Sequence, residues 1–234
     1  VGSFVTRPLR IGLVVIALLV IAACAYVLRA ERYHLTTAYV NGNSRVPAEQ
    51  VFTASGLAGK HVLAVRRRIA ERRVEELPDV REAIVRVKPP NHVFITIVET
   101  EPKILWISTA GRMAIDENGR AVRPPADESG LLHVHDQAGL VSALGQELPS
   151  DVFAAALAFG ERFKDLEYRG DLGFVASGEA GVEIWLGAEP RLAPRQLAQL
   201  DAILNHVAGR SGPVELVDVR FPSRPYYRQH KGAN

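Results

Sequence analysis

Ile11 to Leu28 (IGLVVIALLVIAACAYVL) is a run of 18 residues without a charge, bracketed by Arg10 and Arg29. As a helix rising 1.5 Å per residue it is about 27 Å long, enough for a hydrocarbon core of about 30 Å. A buried soluble helix rarely stays apolar on every face over such a length with arginine at both ends. The segment before it carries Arg7 and Arg10 and no acid. Cationic flanks favour the cytoplasmic side, so that tail is expected inside and everything after the helix outside.

Two cleaved readings compete with a permanent anchor. Ile21-Ala22-Ala23-Cys24 resembles a bacterial lipobox, which would be cut before Cys24 and acylated on its thiol. Ala22 and Ala23 also suit an ordinary signal peptidase. Against both, the apolar run continues through Ala25, Tyr26, Val27 and Leu28, where a cleavage site normally turns polar. A retained single-pass anchor is the expectation, with a lipoprotein the alternative. Each of these readings exports the remainder of the chain.

Charge supports that division. The net charge is +2, and Arg7, Arg10, Arg29 and Arg32 at the helix borders account for it, leaving 24 basic and 25 acidic residues beyond position 32. The basicity belongs to a membrane border, and a nucleic-acid partner is not expected. Cys24 lies within the apolar run and has no second cysteine to pair with. A cysteine-free remainder suits folding under oxidising conditions.

Beyond Tyr33 the pattern breaks into two regions. The first, residues 34–103, opens with an alternating Leu35–Val40 and a turn at Asn41-Gly42-Asn43. A short helix follows from Pro47, suited to a first helical turn, to a stop at Gly56, and a second helix spans Ile69 to Leu77 before Pro78. Val80 to Val87 and Val93 to Val98 read as two strands around Pro89-Pro90-Asn91. The second region, residues 104–225, is richer in hairpins: Met113–Asp116 and Ala121-Val122 flank Asn118-Gly119, and Phe174-Val175 and Val182–Leu186 flank Gly178–Gly181. Val152 to Leu166 reads as a helix. Leu197, Leu200, Leu204 and Val207 recur at three and four residues, an amphipathic helix stopped by Gly209. Val214 to Phe221 is the last strand, and from Ser223 the chain turns polar; residues 226–234 are expected as a frayed, flexible tail. The fold class expected is α+β.

Catalytic signatures are weak. His133 and His135 share one face of a strand, but no cysteine accompanies them and Asp136 falls on the other face, so a solvent-facing or structural role is favoured over a metal site. Gly56-Leu-Ala-Gly59-Lys60-His61 resembles a P-loop but has two residues between its glycines where four are needed, and His where Ser or Thr would hold Mg²⁺. No Gly-x-Ser-x-Gly elbow occurs. Enzyme activity, cofactor, metal and small-molecule substrate are not expected. The densest charge, Arg66 to Glu76, reads either as a solvated helix face with Glu–Arg pairs or as a surface for an acidic partner or lipid headgroups.

The order of elements from Val40 to Pro102 resembles the POTRA domain of the FtsQ/DivIB family of bacterial division proteins. The likeness rests on Val40-x-Gly42, Val62-Leu63, Val74-x-x-Leu77-Pro78-x-Val80, Ala83-x-Val85-x-Val87 and Ile95-x-Ile97-x-Glu99-x-x-Pro102. Trp106, Asp116-x-x-Gly119-x-x-Val122, Ile184-x-Leu186-Gly187 and Val217-Asp218-Val219-Arg220 are similar to that family's C-terminal β domain. The resemblance implies a β-α-α-β-β POTRA domain, then a mainly antiparallel β domain with flanking helices. It further implies a non-catalytic scaffold at the division septum of the cytoplasmic membrane, bound to FtsB- and FtsL-like partners and helping to recruit and regulate septal peptidoglycan synthesis. Such a fold would offer a sheet edge beside a helix to a partner strand. A POTRA-containing export or outer-membrane assembly factor is the alternative, but no tract of alternating strands long enough for a barrel follows Lys103.

The resemblance places the FtsB-like partner on the last strand. There it implies Val219, Arg220, Phe221 and Ser223 as contact residues. The pattern itself puts Val217, Val219 and Phe221 on one face, and Pro222 fits an edge strand. The plainer reading is that Phe221 fills the core of the β domain.

Overall fold

The computed structural model describes residues 6–208 and 214–229. The first helix, α1 (Thr6–Arg29), runs through the apolar segment, and its window Gly12–Arg29 is long and apolar enough to cross a membrane. The rest is α+β and divides into two compact units, one ending at Glu99 and one beginning at Thr100. The stop expected at Gly209 lies outside the described residues.

The first unit is a three-stranded sheet backed by two helices: β1 (Ala38–Asn41), α2 (Ala48–Ser55), α3 (Arg67–Glu75), β2 (Val80–Lys88) and β3 (His92–Glu99). The order is β1-β3-β2, with β1 parallel and β2 antiparallel to β3. Alternation does the sorting: Val93, Ile95 and Ile97 are buried while Phe94, Thr96 and Val98 lie on the other face. Val51, Ala70, Val74 and Val85 close the core against them. Pro47 sits one residue before α2 as its cap, and Gly56 ends that helix with a left-handed φ of 63°. Gly42 is required for space as well as for its φ of 81°, since a Cβ there would lie 2.1 Å from the carbonyl oxygen of Ile97. Glu99 fixes the loop beyond it by accepting the backbone N–H groups of Ser44, Arg45 and Val46 at 2.8–3.0 Å.

Among the described residues the second unit is a nine-stranded sheet with two α-helices. Its elements are β4 (Pro102–Ser108), β5 (Gly111–Asp116), β6 (Ala121–Val122), β7 (Leu132–Asp136), α4 (Ser150–Gly160), β8 (Asp165–Tyr168), β9 (Phe174–Ser177), β10 (Glu183–Gly187), α5 (Ala193–Val207), β11 (Val214–Asp218) and β12 (Tyr226–Gln229). The order is β12-β11-β10-β9-β8-β7-β4-β5-β6. Most pairings are antiparallel; β4–β7, β7–β8 and β10–β11 are parallel. Trp106, Phe159, Phe174, Ile184, Leu186 and Leu200 anchor a single core shared by sheet and helices.

Three expectations are corrected. The helix expected to reach Leu166 ends at Gly160, because Leu166 is drawn into β8 beside Val134 and becomes buried there. The last long strand ends at Asp218, and β11 is not an edge. Tyr226 to Gln229, expected as frayed tail, pair antiparallel with β11 and form the end strand themselves.

The chemically suggestive carboxylates are engaged by the backbone. Asp136 accepts the indole N–H of Trp106 at 2.9 Å and the N–H groups of Ala138, Gly139 and Leu140. Asp116 accepts from Asn118 and Arg120 around the Asn118-Gly119 turn. His133 lies 3.4 Å from the exposed Asp165.

A candidate protein interface at the end strand

β11 lies parallel to β10 in the register Glu183↔Leu216, Ile184↔Val217 and Trp185↔Asp218. The Val219 N–H extends this pairing by donating to the Trp185 carbonyl at 3.0 Å. Leu216, Val217 and Val219 are all buried. A four-residue apolar alternation cannot tell a two-sided interior strand from an edge; only the arrival of β12 settles it.

After Val219 the chain turns, and the turn is locked from several sides. Asp218 is 3% exposed and accepts a fork from Arg220, with Nε at 3.1 Å and Nη2 at 2.7 Å. The Arg220 guanidinium lies over the Trp185 ring, 4.6 Å from its centroid, and 5.7 Å from that of Phe221. Its pKa is raised, chiefly by the hydrogen bonds to Asp218, so the cation is fixed at any accessible pH. From α5, Gln196 donates to the Arg220 carbonyl at 3.1 Å. The Arg224 N–H closes the turn on the Phe221 carbonyl at 2.9 Å.

This frame presents Phe221 to solvent, 64% exposed, with Ser223 also exposed and Tyr226 48% exposed. The reading of Phe221 as core is thereby excluded. The four candidate residues therefore separate. Val219 is core, Arg220 is held inward on Asp218 and Trp185, and Phe221 and Ser223 face outward. Tyr226, absent from the candidates, joins them. Its signal was the adjacent pair Tyr226-Tyr227 after Pro225, which a strand splits between its two faces, obscured by the polar composition around it.

Sheet edges are sites where unpaired backbone groups can capture another strand, and proteins usually cover them. At the far end of the same sheet β6 is two residues long and capped: Ala121 donates to Gln146 at 2.8 Å and accepts from Gly145 at 2.7 Å. In the first unit the edge beside a helix is β2, and α3 occupies it. Glu75 accepts the Ala83 N–H at 3.1 Å and Glu71 the Val85 N–H at 2.9 Å. Two outward N–H donors of that edge are thus held by the helix's own carboxylates. Strand β12 ends the larger sheet beside exposed aromatics, with Arg228 paired to Glu215 across its inner ladder.

Comparison with known proteins finds relatives of this chain. Residues 35–100 match the FtsQ-type POTRA domain. Over an alignment 235 positions long, the chain is 27% identical to the cell division protein FtsQ of Chloroflexus aurantiacus, covering 94% of this chain and 84% of that protein. It is 30% identical over 162 residues to the cell division protein FtsQ of Cereibacter sphaeroides, covering 68% of this chain and 51% of that one.

Proposed function

This chain belongs to the FtsQ/DivIB family, and from that premise we propose that it is a cell-division protein working as a non-catalytic, single-pass scaffold. The apolar run Ile11–Leu28 is its anchor in the cytoplasmic membrane, with residues 1–10 inside and the bulk of the chain outside at the septum. It binds FtsB- and FtsL-like single-pass partners, and through them helps recruit and regulate septal peptidoglycan synthesis. The POTRA domain, expected over residues 34–103, ends with the first unit at Glu99, and the β domain, expected over 104–225, runs from Thr100 through β12, which carries the interface.

The observation that carries the partner assignment is the end strand β12 beside an exposed Phe221 on a rigid turn. A partner segment adding a strand to β12 would gain main-chain hydrogen bonds, and Phe221 and Tyr226 would supply apolar anchors. Arg220 then acts as a positioning residue and Val219 as support from the core. Arg220→Glu would place a second carboxylate on Asp218 and damage the fold, so it reports nothing about binding.

Phe221→Ala combined with Ser223→Arg is the informative variant. Pull-down of an FtsB-like partner by the full chain should weaken by about 2 kcal/mol or more, as loss of interface aromatics does. The melting temperature should hold, and a fluorescent fusion of the wild type should concentrate at the division site. Unchanged affinity in the folded variant rules this surface out. A wild-type fusion spread evenly around the envelope removes the septal role.

A further inference from the structure

Charge divides unevenly between the two units. Up to Glu99 the chain has 14 Lys and Arg against 8 Asp and Glu; from Thr100 it has 14 against 18. Much of the first unit's excess falls on Lys60, Arg66, Arg67, Arg68, Arg72 and Arg73, all exposed. Helical spacing would neutralise the arginines with Glu71 and Glu75. Those carboxylates turn away to the backbone of β2 instead. Among the described residues, none of the six cations then has an ion-pair partner.

Three of them converge. Lys60, Arg66 and Arg73 line a cleft of about 250 Å³ that contains no carboxylate, with Ser55 at its base. The Arg73 guanidinium lies over Gly56, at the end of α2. Leu63, 71% exposed, stands on the neighbouring turn 62–64, and Ile69, 42% exposed, lines the same cleft. Cations beside exposed aliphatic side chains are what a surface lying in a bilayer's headgroup layer carries.

The position of the cleft decides the ligand. His61 Nε2 lies 3.1 Å from the carbonyl oxygen of Val27, in the last turn of α1, where helix carbonyls lack their own partners. The His61 ring meets the rings of His34 at 5.3 Å and Tyr33 at 5.9 Å. The Arg32 guanidinium covers Tyr26 and Tyr33. The segment that carries Lys60 and Leu63 is therefore tied directly to the end of the apolar helix. Where α1 crosses a bilayer, that tie holds Lys60 and Leu63, next to His61 in the chain, close to the headgroup layer, at an effective lipid concentration no soluble anion approaches.

We propose that the Lys60–Arg66–Arg73 cleft, rimmed by Leu63 and Ile69, binds the headgroup of an anionic phospholipid in the outer leaflet of the membrane that α1 crosses. This rests on the reading of α1 as a retained anchor. It gives the POTRA unit a second hold on the bilayer.

Hydrogen exchange over residues 58–75 of the full chain in nanodiscs tests it. Adding phosphatidylglycerol to phosphatidylcholine discs should slow exchange there on the order of tenfold, and salt should reverse the effect. Lys60→Gln with Arg66→Gln should abolish the slowing while exchange over 80–99 stays as in the wild type. That pair spares Arg73, whose loss could disturb α2. Equal protection by inorganic phosphate in phosphatidylcholine discs makes the cleft a free-anion site and overturns the proposal. Exchange indifferent to lipid leaves the cations to an acidic protein and overturns it too. Alkaline extraction of membranes separates the two readings. A chain released by carbonate loses its anchor and this inference with it; a retained chain with lipid-indifferent exchange loses this inference alone.

Discussion

Asp218 and Arg220 show how two residues of opposite charge become a structural clamp. Asp218 is buried and Arg220 about a fifth open to water, its side chain 22% exposed. Replacing Arg220 by Met leaves the buried carboxylate uncompensated, and should cost the β domain about 2–3 kcal/mol in chemical denaturation, somewhat below the loss seen for fully buried pairs. Arg220→Lys should recover only part of this, since an ammonium cannot reproduce the fork on both oxygens. Glu99 offers a pH-dependent counterpart. Burial works against its ionisation, but the N–H groups of Val46, Ser44 and Arg45 and the Arg45 side chain outweigh it, so the carboxyl titrates below its ordinary value. A depressed folded pKa contributes stability that is present above the unfolded pKa and lost as pH falls through the folded one. From about pH 5 to about pH 3 the wild type should therefore lose more stability than Glu99→Gln, read as the difference between their denaturation midpoints.

At the scale of elements, the helix α3 and the strand β2 form one device. Its glutamates hold the edge donors of Ala83 and Val85, which both stabilises the sheet and denies the edge to other strands. Glu71→Ala with Glu75→Ala should lower POTRA stability by about 2 kcal/mol and bring concentration-dependent self-association in sedimentation. The double Gln variant should restore most of both, because an amide oxygen still accepts an N–H. The two edges of the larger sheet follow the same logic with opposite outcomes: β6 is short and capped, whereas β12 ends the sheet beside Phe221 and Tyr226. The helix expected to run from Val152 to Leu166 shows what periodicity misses. Apolar residues at Phe159, Phe163 and Leu166 keep helical spacing, yet Leu166 gains a buried ladder position only by leaving the helix after Gly160.

At the scale of the molecule, α1 continues without interruption through Cys24 to Arg29. Cleavage before Cys24 would remove most of an apolar helix whose last turn is engaged by His61. The intact mass of protein extracted from membranes should accordingly include residues upstream of Cys24; a chain that begins at a diacylated Cys24 would establish the lipoprotein reading instead. Protease added to intact spheroplasts should reach residues beyond Arg29 and spare the Arg7–Arg10 segment, the orientation favoured by cationic flanks.

The sequence by itself determined what local pattern can specify. It set the apolar span, the α+β class, the POTRA element order, and the turns at Gly42, Gly56 and Asn118-Gly119, because hydrophobic period, glycine φ and turn chemistry act within a few residues. Tertiary structure decided everything that depends on which neighbour arrives. It buried Val219, exposed Phe221, turned Arg220 onto Asp218 and Trp185, and made an end strand of Tyr226–Gln229. It also took Glu71 and Glu75 away from the arginines beside them and left those cations open. An alternating strand has the same sequence at an edge as one place inward, and a glutamate has the same spacing whichever donor it meets. Only the position of a second strand, distant in the chain, distinguishes them.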